Sequence, residues 1–215
     1  MENEYATYIF DLDGTLLDSL RDLQLSCNAA LRHCGMPEHT LDEVRMMVGN
    51  GVKKLMERAV PDGENNPSFD EAFTVFREEY MKHNLDHTAT YPGIESMLHR
   101  LKANGSRLAV VSNKFDKATK SLVAHFFGDV IDIAIGENEA AGIRKKPAPD
   151  TVIAAMQQLG ADKKRTVYIG DSDVDIETAR NSGIPCISVL WGFRSKSFLL
   201  EHGATTLVES PDQIV

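Results

Sequence analysis

The sequence has few cysteines and no long apolar run, and its first residues are not expected to form a leader segment. Its three cysteines, Cys27, Cys34 and Cys186, are too few and too scattered for a disulfide framework or a zinc knuckle, which indicates a reducing compartment. The first segment already has the pattern of a strand, not of a signal peptide, and no apolar stretch approaches membrane-spanning length. We therefore expect a cytoplasmic protein without membrane partners.

Positive charge is also in short supply. The chain of 215 residues has 23 lysines and arginines against 32 aspartates and glutamates, for a formal net charge of −9 at pH 7. A general nucleic-acid binder needs a basic face, so this balance argues against one. The overall charge also repels phosphorylated molecules, and any such substrate must be attracted by a local site. The length and the hydrophobic content of 42% allow one large domain, or a domain with an insert.

Helical and strand patterns alternate along the chain from Tyr91 onward. The predicted strands are apolar throughout, as strands are when a sheet is covered on both faces. Repeated units of this kind predict an α/β fold with a doubly wound, Rossmann-like parallel sheet. The predicted helices are 94–103, 117–125, 149–159 and 174–181, and the predicted strands are 107–111, 130–135, 166–169 and 184–189.

A helical segment separates this part from the first predicted strand, residues 7–10. From Leu20 to about Asp86 the apolar residues recur at helical spacing and predict four helices without a convincing strand. The simplest organisation is an α/β core formed by residues 1–17 and 90–215, with a helical module, 18–89, inserted after the first strand.

Two carboxylates one residue apart follow that first strand. The strand ends at Phe10, and Asp11 and Asp13 come next, before a Gly-Thr turn. Open α/β sheets bind ligands at the carboxyl ends of their strands, so we expect this pair at the binding edge. Two acids held so close repel each other and favour a cation beside them. Mg²⁺ prefers oxygen ligands and usually binds together with phosphate, which makes it the expected ion.

Three further segments place polar side chains at the same predicted edge. Ser112 follows one predicted strand, Asp171 and Asp175 follow another, and Lys146 lies on a proline-rich loop between them. An acid pair, a hydroxyl, a lysine and further acids are therefore expected to converge. Phosphoryl transfer needs this set, because it uses a nucleophile, metal ligands and positive charge directed at the phosphoryl oxygens.

These four segments resemble the four motifs of the haloacid dehalogenase (HAD) superfamily, in its phosphatase branch. The motifs are Asp-x-Asp-Gly-Thr, a Ser or Thr after a strand, a Lys before Pro-x-Pro, and Gly-Asp-x-x-x-Asp, and they occur here in that order at matching separations. The resemblance extends over nearly the whole chain. It implies a phosphoric monoester hydrolase, and it implies that the helical module is the C1 cap of this branch, which would open and close about its links to the core.

The resemblance also implies a role for each acid. Asp11 would be the nucleophile that becomes an aspartyl-phosphate, and Asp13 would protonate the leaving oxygen and later accept a proton from the attacking water. Mg²⁺ would be held by the side chains of Asp11 and Asp171 and by the backbone carbonyl of Asp13. Asp175 would support the metal from outside this ligand set or through water.

The phosphoryl group has its own implied set of contacts. Lys146 would neutralise its charge, and the family position, directly before Pro-x-Pro, favours Lys146 over its neighbour Lys145. Whether Lys145 shares that role is left open. The residues implied to surround the phosphoryl oxygens are Ser112, Thr15 and the backbone amides of Leu12 and Asn113.

Softer features resemble the phosphoglycolate phosphatases within this superfamily. They include Gly49-Asn50-Gly51 in the helical module and Val189-Leu190-Trp191-Gly192-Phe193 near the C-terminus. The implied substrate is a small phosphorylated metabolite, with 2-phosphoglycolate first. Asn50 and Lys53 would contact its carboxylate if their turn faces the active site; otherwise they are two exposed polar residues. We expect a monomer or a homodimer.

Other functions on the same scaffold remain open. A β-phosphoglucomutase-like phosphosugar mutase tends to carry Glu-Asp in the fourth motif, whereas this chain has Gly170-Asp171, which favours hydrolysis. Pyrophosphatases and nucleotidases share the scaffold, and a phosphonate hydrolase would use a Schiff-base lysine, for which Lys53 or Lys54 is available. A non-catalytic binding domain is disfavoured because the acids and the lysine of all four motifs are present.

Overall fold

The computed structural model describes residues 5–138 and 142–215, and the chain divides into two compact units. The first unit comprises the chain up to Leu17 together with Thr90–Val215, and the second comprises Asp18–Ala89. Within the described ranges, no helix has the length and the apolar character needed to cross a bilayer.

The first unit is built on a six-stranded parallel sheet with the order β5-β4-β1-β6-β7-β8. Two further short strands, β2 and β3, pair with each other at the junctions between the units. The strands are β1 Thr7–Phe10, β2 Leu17–Asp18, β3 Ala89–Thr90, β4 Arg107–Phe115, β5 Ile133–Glu137, β6 Thr166–Gly170, β7 Cys186–Val189 and β8 Leu207–Val208.

The α-helices fall into two groups along the chain. The second unit contains α1 Leu20–His33, α2 Leu41–Met47, α3 Val52–Ala59 and α4 Phe69–His83. The first unit contains α5 Ile94–Ala103, α6 Asp116–Phe127, α7 Asp150–Leu159, α8 Asp173–Ser182 and α9 Lys196–Glu201.

Both faces of the large sheet are covered by apolar side chains. Tyr8 and Phe10 of β1 point into one cluster with Leu98 of α5, whereas Ile9 points into a second cluster with Val152 of α7. Successive residues of a strand face opposite sides of the sheet, so the side chains of a strand buried on both faces are mostly apolar. This arrangement confirms the predicted doubly wound parallel sheet.

The register of the sheet sets the position of the functional side chains. Phe10 lies opposite Val110 of β4 and opposite Ile169 of β6. The backbone N–H of Asp11 continues the pattern by donating to the Ile169 carbonyl at 2.9 Å. Because all three strands are parallel, the residues that follow these positions meet at one edge of the sheet.

The second unit is helical, as the apolar spacing predicts. Its longest helices, α1 and α4, pack against each other, and the α4 aromatic residues stack in pairs, Phe69 on Phe73 and Phe76 on Tyr80. Phe76 and Tyr80 are buried, which makes this stripe a packing surface within the unit.

Strands β4, β5 and β8 differ from the sequence-based predictions. β4 continues to Phe115, through the Ser-Asn-Lys segment that was expected to follow it, although the register shifts between Val111 and Phe115. β5 begins at Ile133 and not near residue 130, because Gly128–Val130 forms a 3-10 turn with a positive φ at Gly128. β8 has no counterpart among the predicted strands.

Candidate active site

Asp11 leaves β1 and meets the ammonium group of Lys146. Asp11 Oδ1 lies 2.8 Å from Lys146 Nζ and accepts a hydrogen bond from the Leu12 N–H at 2.7 Å. Asp11 is 9% exposed and Lys146 only 3% exposed, so this pair is largely removed from water. The structure thus brings together the predicted nucleophile and the predicted phosphate-binding lysine.

Asp175 is the most heavily hydrogen-bonded acid of the site. Its Oδ1 accepts from Lys146 Nζ at 2.8 Å and from the Tyr168 hydroxyl at 3.0 Å. Its Oδ2 accepts from the Ser172 hydroxyl at 2.6 Å and from the backbone N–H groups of Ser172 and Asp171 at 3.1 and 3.2 Å. Asp175 therefore takes part in the capping box at the N-terminus of α8 and also positions Lys146.

Asp171 is fixed by contacts from two other segments. The Phe193 N–H donates to its Oδ2 at 2.7 Å, and the Thr15 hydroxyl donates to its Oδ1 at 3.3 Å. The backbone approaches closely here, because a Cβ at Gly192 would lie 2.3 Å from Asp171 Cβ and one at Gly14 would lie 2.4 Å from Asp171 Oδ2. Side chains larger than hydrogen are therefore excluded at both glycines.

Asp11, Asp171 and Asp175 form a candidate metal site, since each offers a carboxylate oxygen within 4.8 Å of the others. The formal charges of these three carboxylates and of the Lys146 ammonium group sum to −2. Burial and the charge of Asp175 raise the pKa of Asp11 well above its usual value, even though Lys146 acts in the opposite direction. Burial and Asp175 likewise raise the pKa of Asp171 to about 7. A divalent cation bound by oxygen ligands fits both the donor set and the charge.

Lys146 stays charged in this environment. Burial alone lowers the pKa of an ammonium group, but the two carboxylates of Asp11 and Asp175 outweigh that effect and raise the pKa of Lys146 overall. The loop that carries Lys146 is pinned by Asn113, whose side chain accepts from the Lys146 N–H at 2.7 Å and donates to the Lys146 carbonyl at 2.9 Å. The neighbouring Lys145 is partly exposed.

A second lysine pairs with the second acid of the first motif. Lys114 Nζ lies 3.0 Å from Asp13 Oδ2, and the Lys114 side chain is only 1% exposed. Ser112, the predicted phosphate-binding hydroxyl, is also buried, and its Oγ accepts a hydrogen bond from the Lys114 N–H at 3.2 Å.

The structure brings most of the predicted site residues to this one edge of the first unit, but two of them lie in the second unit. Asn50 lies in the turn before α3, with a φ of 62°, between two glycines that also have positive φ. Lys53 is exposed, and its ammonium group lies 2.5 Å from Glu64 of the same unit.

Three contributors were not identified from the sequence as site residues. Lys114 follows the second motif, where a polar Ser-Asn-Lys string has the composition of a loop, although it belongs to β4. Tyr168 lies inside an apolar strand and has the pattern of a core residue. Phe193 acts through its backbone N–H, which has no sequence signature apart from the neighbouring Gly192.

The chain is similar to known proteins in both sequence and structure. Residues 8–189 match the protein family described as haloacid dehalogenase-like hydrolase. A phosphoglycolate phosphatase of Aquifex aeolicus (strain VF5) is 34% identical over 187 residues, which cover 86% of this chain and 84% of the relative. A phosphoglycolate phosphatase of Caulobacter vibrioides is 35% identical over 195 residues, which cover 87% of this chain and 80% of the relative.

The same similarity is seen among solved structures. A crystal structure from Lactobacillus delbrueckii subsp. bulgaricus, of a protein whose assignment as a phosphoglycolate phosphatase is itself inferred, superposes with a TM-score of 0.93. That protein is 36% identical, and the alignment covers 98% of this chain and 97% of the other.

Proposed function

Because this chain belongs to the haloacid dehalogenase-like hydrolase family, we propose that it is a Mg²⁺-dependent phosphatase of small phosphomonoesters, with 2-phosphoglycolate as the preferred substrate. The observation that carries this proposal is the cluster of Asp11, Asp171 and Asp175 at the carboxyl edge of the sheet, in which Asp11 and Asp175 contact the Lys146 ammonium group. Curated relatives named phosphoglycolate phosphatase support the choice of substrate.

Asp11 acts as the nucleophile in the first step. Its carboxylate attacks phosphorus, a bond forms between an Asp11 oxygen and phosphorus, and the bond from phosphorus to the leaving oxygen breaks. Asp13 gives a proton to that leaving oxygen, which departs as an alcohol. Lys146 supports the step because its charge is directed at Asp11 and at the position where the phosphoryl group arrives.

Water completes the reaction in the second step. Asp13, now ionised, accepts a proton from water as the water oxygen attacks phosphorus, and inorganic phosphate leaves while the Asp11 carboxylate is restored. Ser112 and the backbone N–H groups of Leu12 and Asn113 surround the phosphoryl oxygens in both steps. Thr15 contributes indirectly, through its hydrogen bond to Asp171.

Mg²⁺ would be held by the side chains of Asp11 and Asp171 and by the backbone carbonyl of Asp13, and Asp175 would support it from outside this set. The ion supplies the positive charge that lets an anionic carboxylate approach an anionic ester. The surplus of two negative charges among the buried side chains supports an ion of charge +2 at this place.

The helical unit, Asp18–Ala89, is the cap and determines which ester is accepted. Its links to the core, near 17–20 and 88–93, act as hinges, and Asn50 is its candidate contact with the substrate carboxylate. The three free cysteines support a location in the reducing cytoplasm.

The deciding experiment is a comparison of phosphate release from several substrates in the presence of Mg²⁺, with EDTA as the control. The panel contains 2-phosphoglycolate, pyrophosphate, nucleoside monophosphates and β-glucose 1-phosphate. A preference of about 100-fold in kcat/KM for 2-phosphoglycolate, equal to about 2.7 kcal/mol of transition-state discrimination, supports the named substrate. Similar kcat/KM values for all substrates, with activity that still requires metal, would support a phosphatase but contradict 2-phosphoglycolate as its preferred substrate.

Phosphate release from none of these substrates contradicts the hydrolase and favours the mutase or a non-catalytic binding domain. The structure already bears on that alternative, because a Cβ at position 170 would lie 2.3 Å from Asp175 Cβ. The glutamate that the mutases tend to carry at this position would displace the Asp175 side chain from its observed place, and this supports hydrolysis.

A further inference from the structure

Two buried lysines contact different acids of the site. Lys146 contacts Asp11 and Asp175, each at 2.8 Å, whereas Lys114 contacts Asp13 at 3.0 Å. The proposed mechanism gives a task to Lys146 but none to Lys114. A lysine side chain that is only 1% exposed has lost nearly all of its hydration. Burying its charge costs free energy, which an ion pair with a carboxylate can offset.

The backbone of Lys114 is held from three sides. Its N–H donates to Ser112 Oγ at 3.2 Å, and its carbonyl accepts from the Thr119 hydroxyl at 3.3 Å. The neighbouring strand β5 lies close to this backbone. A Cβ added at Gly136 of β5 would lie only 2.7 Å from the Lys114 carbonyl oxygen. Lys114 is thus mounted on a strand whose position is fixed by its neighbours.

Asp13 is located differently. It lies beyond the end of β1, in the segment that turns through Gly14, and its side chain is 16% exposed. A carboxylate on such a turn needs a fixed partner if it is to meet the leaving oxygen in one orientation, since proton transfer depends on geometry first.

We propose that Lys114 is a positioning residue for Asp13: its strand-mounted ammonium group holds the Asp13 carboxylate in the orientation from which it serves the leaving oxygen. This inference rests on the proposed phosphatase function. It assigns the two lysines separate tasks, Lys146 at the nucleophile and Lys114 at the acid–base group.

The test compares two kinds of ester. The alkoxide released from an alkyl phosphate is strongly basic and needs the proton from Asp13, whereas p-nitrophenolate is a weak base and leaves without one. For Lys114→Met we expect kcat/KM to fall about 100-fold with the alkyl phosphate that the wild type hydrolyses fastest, in line with the usual contribution of general acid–base catalysis. With p-nitrophenyl phosphate we expect a fall of no more than about 5-fold.

A double-mutant cycle adds a second readout. If Lys114 acts through Asp13, then adding Lys114→Met to Asp13→Asn lowers kcat/KM for the alkyl phosphate by no more than about 3-fold further. The matched control is Lys120→Met, which removes an exposed lysine that pairs with Asp116 on α6 and leaves both activities unchanged.

Equal losses on both esters, or losses that multiply in the double variant, overturn the proposal and give Lys114 a structural or phosphate-binding role. If Lys114→Met does not fold, Lys114→Arg answers the same question, because it keeps the charge and moves it; its loss must again be selective for the alkyl ester. A wild type that hydrolyses neither ester overturns the phosphatase function and this role with it, whereas an active wild type with unselective losses overturns this role alone.

Discussion

Adjacent lysines in the third motif have different environments. Lys146 is buried against two carboxylates, whereas Lys145 is partly exposed. Replacing Lys146 by methionine removes the charge that faces Asp11 and keeps most of the side-chain volume. We expect kcat to fall by about 10²- to 10³-fold, the usual cost of losing one preorganised electrostatic contact to a transition state.

Lys145→Met is the matched control for that variant, and we expect its kcat and KM to stay within about 3-fold of the wild type, as for most exposed positions away from a site. Steady-state phosphate release measures both variants. A comparable loss in the two variants would mean that Lys145 shares the role, which the sequence left open.

Asp11 is the proposed nucleophile, and its replacement tests that role directly. Asp11→Asn keeps the shape of the side chain and removes its charge, so we expect turnover to fall at least about 10⁴-fold while the fold persists. The metal-free variant should also melt no lower than the wild type, because burial and Asp175 disfavour the charged form of Asp11.

Asp173→Asn serves as the control for Asp11→Asn, since Asp173 begins α8 but contacts none of the proposed ligands in the described part of the chain. Phosphate release and thermal melting with EDTA are measured side by side. Full activity of Asp11→Asn, with its mass and fold verified, would contradict the assignment of the nucleophile.

Asn50 tests the role of the second unit. Its φ of 62° is a conformation that glycine adopts without strain, so Asn50→Gly removes the side chain and keeps the turn. If the amide binds the substrate, both Asn50→Gly and Asn50→Ala raise KM for 2-phosphoglycolate by about 10-fold, roughly the value of one hydrogen bond to a charged group. An unchanged KM for Asn50→Gly would assign the residue to the turn alone.

At the scale of elements, the buried strands could be predicted well and the polar end of one strand could not. β1 and β6 are short apolar runs with both faces covered, and such runs have a direct sequence pattern. β4 goes on through Ser112, Asn113 and Lys114, whose composition is typical of a loop. The side chains of Asn113 and Lys114 contact distant partners, Lys146 and Asp13, which no local pattern reveals.

The residues of the candidate site likewise divide into those that a local sequence pattern predicts and those that it does not. Asp11, Asp171 and Lys146 could be predicted because each follows or precedes a recognisable pattern, a strand end or a Pro-x-Pro. Tyr168 could not be separated from the core, since its ring is buried in the sheet and only its hydroxyl reaches Asp175. Contacts made by backbone N–H groups, such as that of Phe193, depend on the fold and not on the residue type.

The loop 190–194 contacts Asp171 through the backbone N–H of Phe193. In Gly192→Ala the new Cβ would lie 2.3 Å from Asp171 Cβ and 2.4 Å from the Gly14 carbonyl oxygen, so the loop must move and the Phe193 bond is lost. Contacts that orient a metal ligand are usually worth 10- to 100-fold in affinity, and we expect the Mg²⁺ concentration for half-maximal activity to rise by about 10-fold or more.

Trp191→Phe is the comparison for Gly192→Ala, because it removes one hydrogen bond from the same loop, that from Trp191 Nε1 to the Thr15 carbonyl, without the steric conflict. Mg²⁺ titrations of activity separate the two variants. If kcat at saturating Mg²⁺ falls in Gly192→Ala while the half-maximal concentration does not change, the loop does not act through the metal ligand.

The molecule as a whole carries a net negative charge, and the candidate site also contains more carboxylates than lysines. The net charge of −9 repels an anionic ester, so attraction must come from the few cations placed at the sheet edge, Lys146 and Lys114. Those cations do not balance the buried carboxylates, and the surplus charge links the stability of the fold to pH and to Mg²⁺.

The direction of that linkage follows from Asp171. Its pKa is about 7 in the folded protein and, as for any exposed aspartate, about 3.9 in the unfolded chain. Between these pH values the folded, metal-free protein binds more protons than the unfolded chain, so its free energy of unfolding decreases as the pH rises through this window. Above pH 7 Asp171 is ionised in both states, and the full cost of its buried charge remains.

Mg²⁺ binds the ionised carboxylates and should remove this cost at high pH. At pH 8, with Mg²⁺ about 100-fold above its Kd, binding adds about 2.7 kcal/mol to the free energy of unfolding, which raises Tm by about 5–10 °C for a protein of this size. At pH 5.5 protons compete for the same oxygens, so the same Mg²⁺ concentration should raise Tm by less.

Thermal melting at both pH values measures the effect. NaCl at equal ionic strength is the control, and Asp171→Asn is the variant that should lose the response. An equal Tm rise at the two pH values would mean that the ion binds elsewhere, because only ligands that titrate in this window make the response depend on pH.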